Sequence, residues 1–251
     1  MAITQEYQDN SNRVRFRMFG LLQVENKYGT VEENPVRPGV SWLLLKYMLF
    51  NYGRNISEEE MTDVACANMP SIQTDDSANR VRRRRLRDAL KPLHLDDIHH
   101  GLVQFELGMY VLNPDYVMEL DVDRFNAIIG ELLARPMDDP DAMQLCFEAL
   151  EIYRGDFLKG TYEAEWLKPY QEHYRKLFEF LAQNTFQRIQ ISGDKQALSL
   201  LCKRTACIVP QWEEFHRPLS HYLIEQKEGE LLLRYVYLLS QSRPSWINDI
   251  D

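Results

Sequence analysis

SANRVRRRRLRDALKPL, residues 77–93, holds six arginines between Arg80 and Arg87 and decides how this chain is read. The spacing predicts a helix, capped by Asp75 or Asp76 and ending near Leu90 or Lys91, ahead of Pro92. At about 100° per residue, Leu86, Leu90 and Leu93 share one face, flanked by Ala78 and Ala89. Arg80, Arg84 and Arg87 point the other way with Val81 and Asp88, and Arg85 lies on the flank. Arginines with almost no interleaved acid repel one another unless an anion sits among them. Such a helix suits the major groove of DNA, where guanidinium pairs bidentately with guanine or clamps phosphate. A run of charge on an ordinary helix is more often a solvated face. Arg82 and Arg83 fall within about 60° of the leucine face. Buried unpaired they would cost several kcal/mol, so they must snorkel, pair with Glu58 or Glu59, or rotate the helix.

Outward from this stretch, the preceding residues read as a small sheet and two helices. Val14, Phe16 and Met18 alternate with Arg13, Arg15 and Arg17, Gly20 permits a bend, and Leu22 and Val24 resume the alternation. Lys27-Tyr28-Gly29 reads as a turn, with Thr30 to Val36 returning. Ser41 to Tyr52 reads as a helix with Ser41 as N-cap and Gly53 at its end. Ile56 is a short extended element. Ser57 and Glu60 form a capping box for a helix running to about Cys66, and a loop covers 68–74. Beyond the arginine helix, Val103–Phe105 and Met109–Leu112 form a tight hairpin around Gly108, and Asn113-Pro114 closes the unit. The order is sheet, three helices, hairpin.

From Leu120 onward helical stretches recur at about 121–135, 141–154, 163–191, 195–208, 211–227 and 229–241, punctuated by proline and glycine. Their spacing points to helix pairs stacked in a tetratricopeptide-like manner, with an irregular helical bundle as the alternative. Asp121 and Asp123 suit a helix N-terminus. Trp166, Tyr170, Tyr174, Phe178 and Leu181 make a stripe at helical spacing, read as the core of the helical domain or as a groove for a partner helix or small ligand.

The net charge of −9 over 251 residues speaks against nucleic acid only if taken globally. Residues 1–113 carry 14 Lys+Arg against 15 Asp+Glu, and 114–251 carry 15 against 23, so the acidity belongs to the second half. A cation cluster on a near-neutral domain can still bind phosphate. The longest apolar run, Trp42 to Phe50 with Lys46 inside it, is too short for a membrane span, and the N-terminus shows no export signal. Cys66, Cys146, Cys202 and Cys207 are read as reduced thiols in a cytoplasmic protein, without metal-binding spacing. His94, Asp96, Asp97, His99 and His100 read as a solvated loop. No phosphate-binding glycine loop, nucleophile elbow or zinc-protease motif is present, so no enzymatic activity and no cofactor are expected. Candidate DNA contacts are Asn79, Arg80, Arg82, Arg83, Arg84, Arg85 and Arg87 in the helix, with Gln104 and Tyr110 in the hairpin, where Tyr110 serves equally as a packing residue.

The chain from about Arg13 to Gln241 is similar to the streptomycete antibiotic regulatory proteins: an OmpR-like winged helix followed by the bacterial transcriptional activator domain. The likeness lies in Phe19-Gly20, LLLKYMLFNYGRNIS (43–57), RLRDAL (85–90), MYVL (109–112), LDVDRF (120–125) and ALEIYRGDFL (149–158). The chain departs from the family pattern at Ala65-Cys66, Arg83 and Met109. The resemblance implies an α+β winged helix over 13–114 and an all-α tetratricopeptide-like domain over 115–242, with a flexible stretch at 1–12 and a tail at 243–251. It implies a bacterial transcription regulator, an activator, that binds double-stranded DNA and contacts RNA polymerase through loop 68–75 or the helical domain. A homodimer is a further candidate assembly, and no membrane is involved. With 12 residues ahead of Arg13, no receiver domain is expected there. The rival is a helical-repeat adaptor whose winged helix no longer binds DNA.

Overall fold

Alternation of buried and exposed side chains sets the first sheet. Val14 and Phe16 are buried while Arg13 and Arg15 face water in β1 (Arg13–Arg17). β1 pairs antiparallel with β2 (Gln23–Asn26), which pairs with β3 (Gly29–Glu32). Its other edge pairs parallel with β7 (Val117–Leu120), giving the order β3-β2-β1-β7. This last strand, beyond Pro114, is the one the sequence leaves unread: it is only partly buried and shows no period-2 burial. The computed structural model describes residues 12–34, 39–68, 75–160 and 164–242. The expected features at 1–11, 35–38, 69–74 and 243–251 lie outside them, including the end of the returning strand and most of the loop assigned to polymerase.

α1 (Val40–Phe50), α2 (Glu58–Asn68) and α3 (Asp76–Leu90) follow, with the two-residue strand β4 (Ile56–Ser57) ahead of α2. α1 packs on α2 and α3 and buries Leu43, Leu44, Leu45, Met48 and Leu49. Its N-cap is Gly39 rather than the expected Ser41. Ser41 lies inside the helix and its hydroxyl donates to the Arg82 carbonyl, 3.1 Å away. The Ser57 cap forms, with Oγ accepting from the Glu60 amide at 3.1 Å. Glu60 does not close the box; its carboxylate accepts from the Tyr47 hydroxyl at 2.6 Å and from Arg54. β5 (Val103–Glu106) and β6 (Met109–Leu112) form the hairpin, and β4 adds to it through the Ile56–Tyr110 pair.

The described residues divide into two compact units, and the division is not at one point in the chain. The first holds the residues up to Asp123 together with Phe157–Gln171. Phe157 bridges to Phe19 and Lys159 to Leu21. Beneath them a buried ion pair joins Lys46 to Glu33 at 2.5 Å, and Lys46 also donates to the Lys159 carbonyl at 3.1 Å. Burial pushes the Lys46 pKa down, and Glu33 opposes that shift. Gly160 stands against Lys46 and Glu33, and a Cβ there would collide with the ammonium. Trp166 contacts Tyr47 and Phe50, and Tyr170 contacts Phe50. These two aromatics therefore belong to the first unit, whereas the stripe was expected within the helical domain. Asp121, at the start of α4 (Asp121–Ala134), accepts from the Met18 amide at 2.8 Å.

The second unit takes Arg124–Asp156 and the residues from Glu172 on. It contains most of α4 and α6 (Lys168–Ser192), with α5 (Ala142–Ile152), α7 (Lys195–Ile208), α8 (Glu213–Glu225) and α9 (Gly229–Gln241). α7 packs on α5 and α9, and α8 packs on α9. Tyr174, Phe178 and Leu181 are buried here, and Phe178 stacks on Tyr153 with centroids 4.5 Å apart. Arg188 is buried but satisfied: it donates to Asn184 at 2.8 Å and to the carbonyls of Pro136 and Met137 at 2.7 and 3.1 Å.

His216 is fully buried, bonded to the Tyr235 hydroxyl through Nδ1 and to the Val209 carbonyl through Nε2 at 2.8 Å. Burial pushes its pKa down to about 4. The unfolded chain takes up a proton on this ring below about 6.5 while the folded chain does not. The ring's contribution is therefore complete above that pH and is lost as pH falls toward 4. Urea melts should show a loss on the order of 3 kcal/mol across this window. His216→Gln, which cannot titrate, should flatten that part of the profile; an unchanged slope would place the proton uptake elsewhere.

Candidate nucleic-acid interface

The arginine helix starts where Asp75 accepts from the Ala78 amide at 2.7 Å. Leu86 and Leu90 are buried on its inner face, and Leu93 is buried in the 3-10 turn Lys91–Leu93 that follows. Arg80, Arg84 and Arg85 are exposed with Val81 and Asp88, and Arg87 is half-buried. Arg84 comes no nearer than 3.8 Å to Asp88 in a pair that is mostly solvated, an interaction worth little. Arg80, Arg84 and Arg85 thus lie on the solvent side of the helix.

Of the candidate DNA contacts, Asn79, Arg82, Arg83 and Tyr110 point inward. Arg82 is buried and donates to the side-chain amide oxygen of Asn79. Asn79, also buried, donates to the Thr62 hydroxyl at 3.4 Å, and that hydroxyl donates to the Glu58 carbonyl at 2.7 Å. Arg83 pairs with the Glu58 carboxylate, and its guanidinium lies 4.0 Å from the Phe105 ring centre and 6.0 Å from that of Tyr110. Tyr110 is buried between Ile56 and Phe105, and burial pushes its pKa up against the pull of Arg83. For Asn79, Arg82 and Arg83 the physical reason is the helical period, which sets them within about 60° of Leu86, where their polar groups need the partners just described. Gln104 is half-buried and donates to the His99 carbonyl at 2.7 Å, which holds it against the loop before the hairpin.

In that loop Asp97 accepts from the amides of His100 and His99 at 2.7 and 2.8 Å, and these bonds pull its pKa down. Among the described residues no three metal-ligating side chains converge. Sequence reasoning passed over Leu107. It stands at the hairpin tip with φ +50°, fully exposed, beside Gly108 at φ +79°.

No family model and no curated protein matches the chain. Among solved structures it is similar to EmbR of Mycobacterium tuberculosis, determined in complex with a low-affinity phosphopeptide. The likeness covers 92% of this chain at a TM-score of 0.50 and 15% identity, and the chain spans 66% of the length of that structure. It is a likeness of fold alone, with a small-sheet region followed by many helices in this chain.

The inner and outer arginines should differ in their effect on stability. Arg83→Ala strips the Phe105 face and leaves Glu58 without its cation, a loss of about 1–3 kcal/mol. Arg85→Ala should lie within about 0.5 kcal/mol of the unmodified protein. Urea denaturation of both reads the contrast, and equal effects would contradict the anchoring role given to Arg83.

Proposed function

We propose that the protein is a bacterial, cytoplasmic, DNA-binding transcription regulator that acts as an activator. α3 lies in the major groove, with Arg80, Arg84, Arg85 and Arg87 on bases and phosphates. The carrying observation is the division of the arginines: the inner pair is anchored by Glu58, Asn79 and Phe105, and Arg80, Arg84 and Arg85 face out. Anchoring presents those cations in one orientation, which a polyanion can use and water alone does not require. Gln104 and Tyr110 support the hairpin rather than touch bases.

The acidic helical unit is poorly matched to DNA and suits protein contacts, through tetratricopeptide-like helix pairs, with RNA polymerase or a second copy. Ile224, Leu233 and Tyr237 stand exposed on its last two helices, in keeping with such contacts. Burial pushes the Cys202 thiol up to about 12, in keeping with an inert reduced thiol. Among the described residues no helix is long and apolar enough to cross a membrane.

Anisotropy titrations on duplex DNA at several salt concentrations test the reading. Each phosphate contact contributes a slope of about 0.9 in log affinity against log salt. Arg84→Ala with Arg87→Ala should weaken binding and lower the slope by about 2. Unchanged affinity in that variant would sink the groove-helix assignment. No duplex affinity in the unmodified protein would leave the adaptor reading in its place.

A further inference from the structure

Where α7 packs on α9, the seam between them is not filled. α7 turns Ser199, Cys202 and Cys207 toward it, three small side chains on one face of the helix. α9 answers with Leu231, Arg234, Tyr235 and Leu238, at i, i+3, i+4 and i+7. Short side chains on one wall leave a cavity of about 350 Å3. Its floor is fixed, because Cys202 and Tyr235 are buried and the Tyr235 hydroxyl is held by His216. That hydroxyl is already engaged, so Tyr235 can offer an occupant its ring.

Charge marks what can enter. Residues 114–251 carry more acids than bases, and the bases around the seam find acids: Lys195 pairs with Glu228, Arg204 with Glu151 and Arg217 with Glu213. Lys203 of α7 and Arg234 of α9 pair with none of the described acids, and both line this cavity. They stand exposed on its facing walls, above the apolar Leu231 and Leu238. Two cations at one mouth, in a unit otherwise short of positive charge, draw in an anion and repel a cation. Arginine can hold a carboxylate through two parallel bonds. The volume is at the lower end of the range for small-molecule sites.

We propose that the seam between α7 and α9 binds a small organic anion, with its apolar body on Leu231, Leu238 and the Tyr235 ring and its carboxylate between Lys203 and Arg234. The site lies wholly within the helical unit and does not depend on whether α3 meets DNA.

The test titrates the full chain with phenylpropionate, and with phenylpropionamide as the uncharged twin, by ligand-observed NMR. The acid should saturate with a Kd of about 1 mM, the order expected of so small a ligand, and the amide should bind more weakly. Lys203→Gln with Arg234→Gln changes two exposed positions, so the variant should melt with the unmodified protein. It should weaken the acid about tenfold and leave the amide unchanged. Cys207, an exposed thiol in the cavity wall, reports the location. Saturating phenylpropionate should slow its alkylation by iodoacetamide, read by mass spectrometry, and leave that of Cys66 in the first unit unchanged. Equal binding of acid and amide, unchanged affinity in the double variant, or an unprotected Cys207 would each overturn the site. So would the absence of saturable binding of both phenylpropionate and decanoate up to about 10 mM.

Discussion

A helix that carries six arginines in eight residues cannot keep all of them in water and also bury a leucine face. The structure resolves the conflict by supplying partners on the inside. Glu58, from the first turn of α2, neutralises Arg83, and the Phe105 ring covers its guanidinium. Asn79 occupies Arg82, and the carbonyl of Arg82 is tied to Ser41 of α1. One set of contacts thus joins α1, α2, α3 and the hairpin. It fixes the rotation of α3 about its own axis and so decides which cations face out. Because Arg83 is ion-paired and Arg82 is hydrogen-bonded, the desolvation that would otherwise oppose burial is offset in part, and Leu86 and Leu90 can enter the core.

The same first unit uses a second buried ion pair for a different purpose. Lys46 and Glu33 hold the segment that returns at Phe157–Gly160, so residues far along the chain complete the packing around β1 and α1. Trp166 and Tyr170 follow this segment onto α1. A stripe of aromatics at regular helical spacing is thereby shared: its first two members serve one unit, and Tyr174, Phe178 and Leu181 serve the core of the other. In the second unit buried polar groups are again satisfied locally, Arg188 by carbonyls after α4 and His216 by Tyr235 and Val209.

Local chemistry made much of this legible. The extents of α7 and α9, the Asp75 cap, the leucine face of α3 and the tight hairpin all follow from signals within a few residues: proline and glycine breaks, side-chain caps, and periods of two or 3.6. Strand β7 was not legible because its neighbour β1 lies about a hundred residues away in the chain and its own exposure has no alternation. The candidate contacts were half legible. Helical geometry separated Arg80, Arg84 and Arg87 from Arg82 and Arg83, yet whether the latter pair would snorkel, pair or turn the helix depended on residues from α2 and the hairpin.

By itself the sequence determined most of the elements and their order, β7 excepted, and which faces are apolar, because these follow from side chains close together along the chain. It also determined that the cations gather on one helix while the acids gather in the second half. Tertiary structure alone decided which partners hold the inner arginines, that Tyr110 is interior, that Leu107 stands exposed in a left-handed backbone, and that 157–171 belong with the first unit. Those outcomes depend on partners brought together across the chain, and no local period encodes who meets whom.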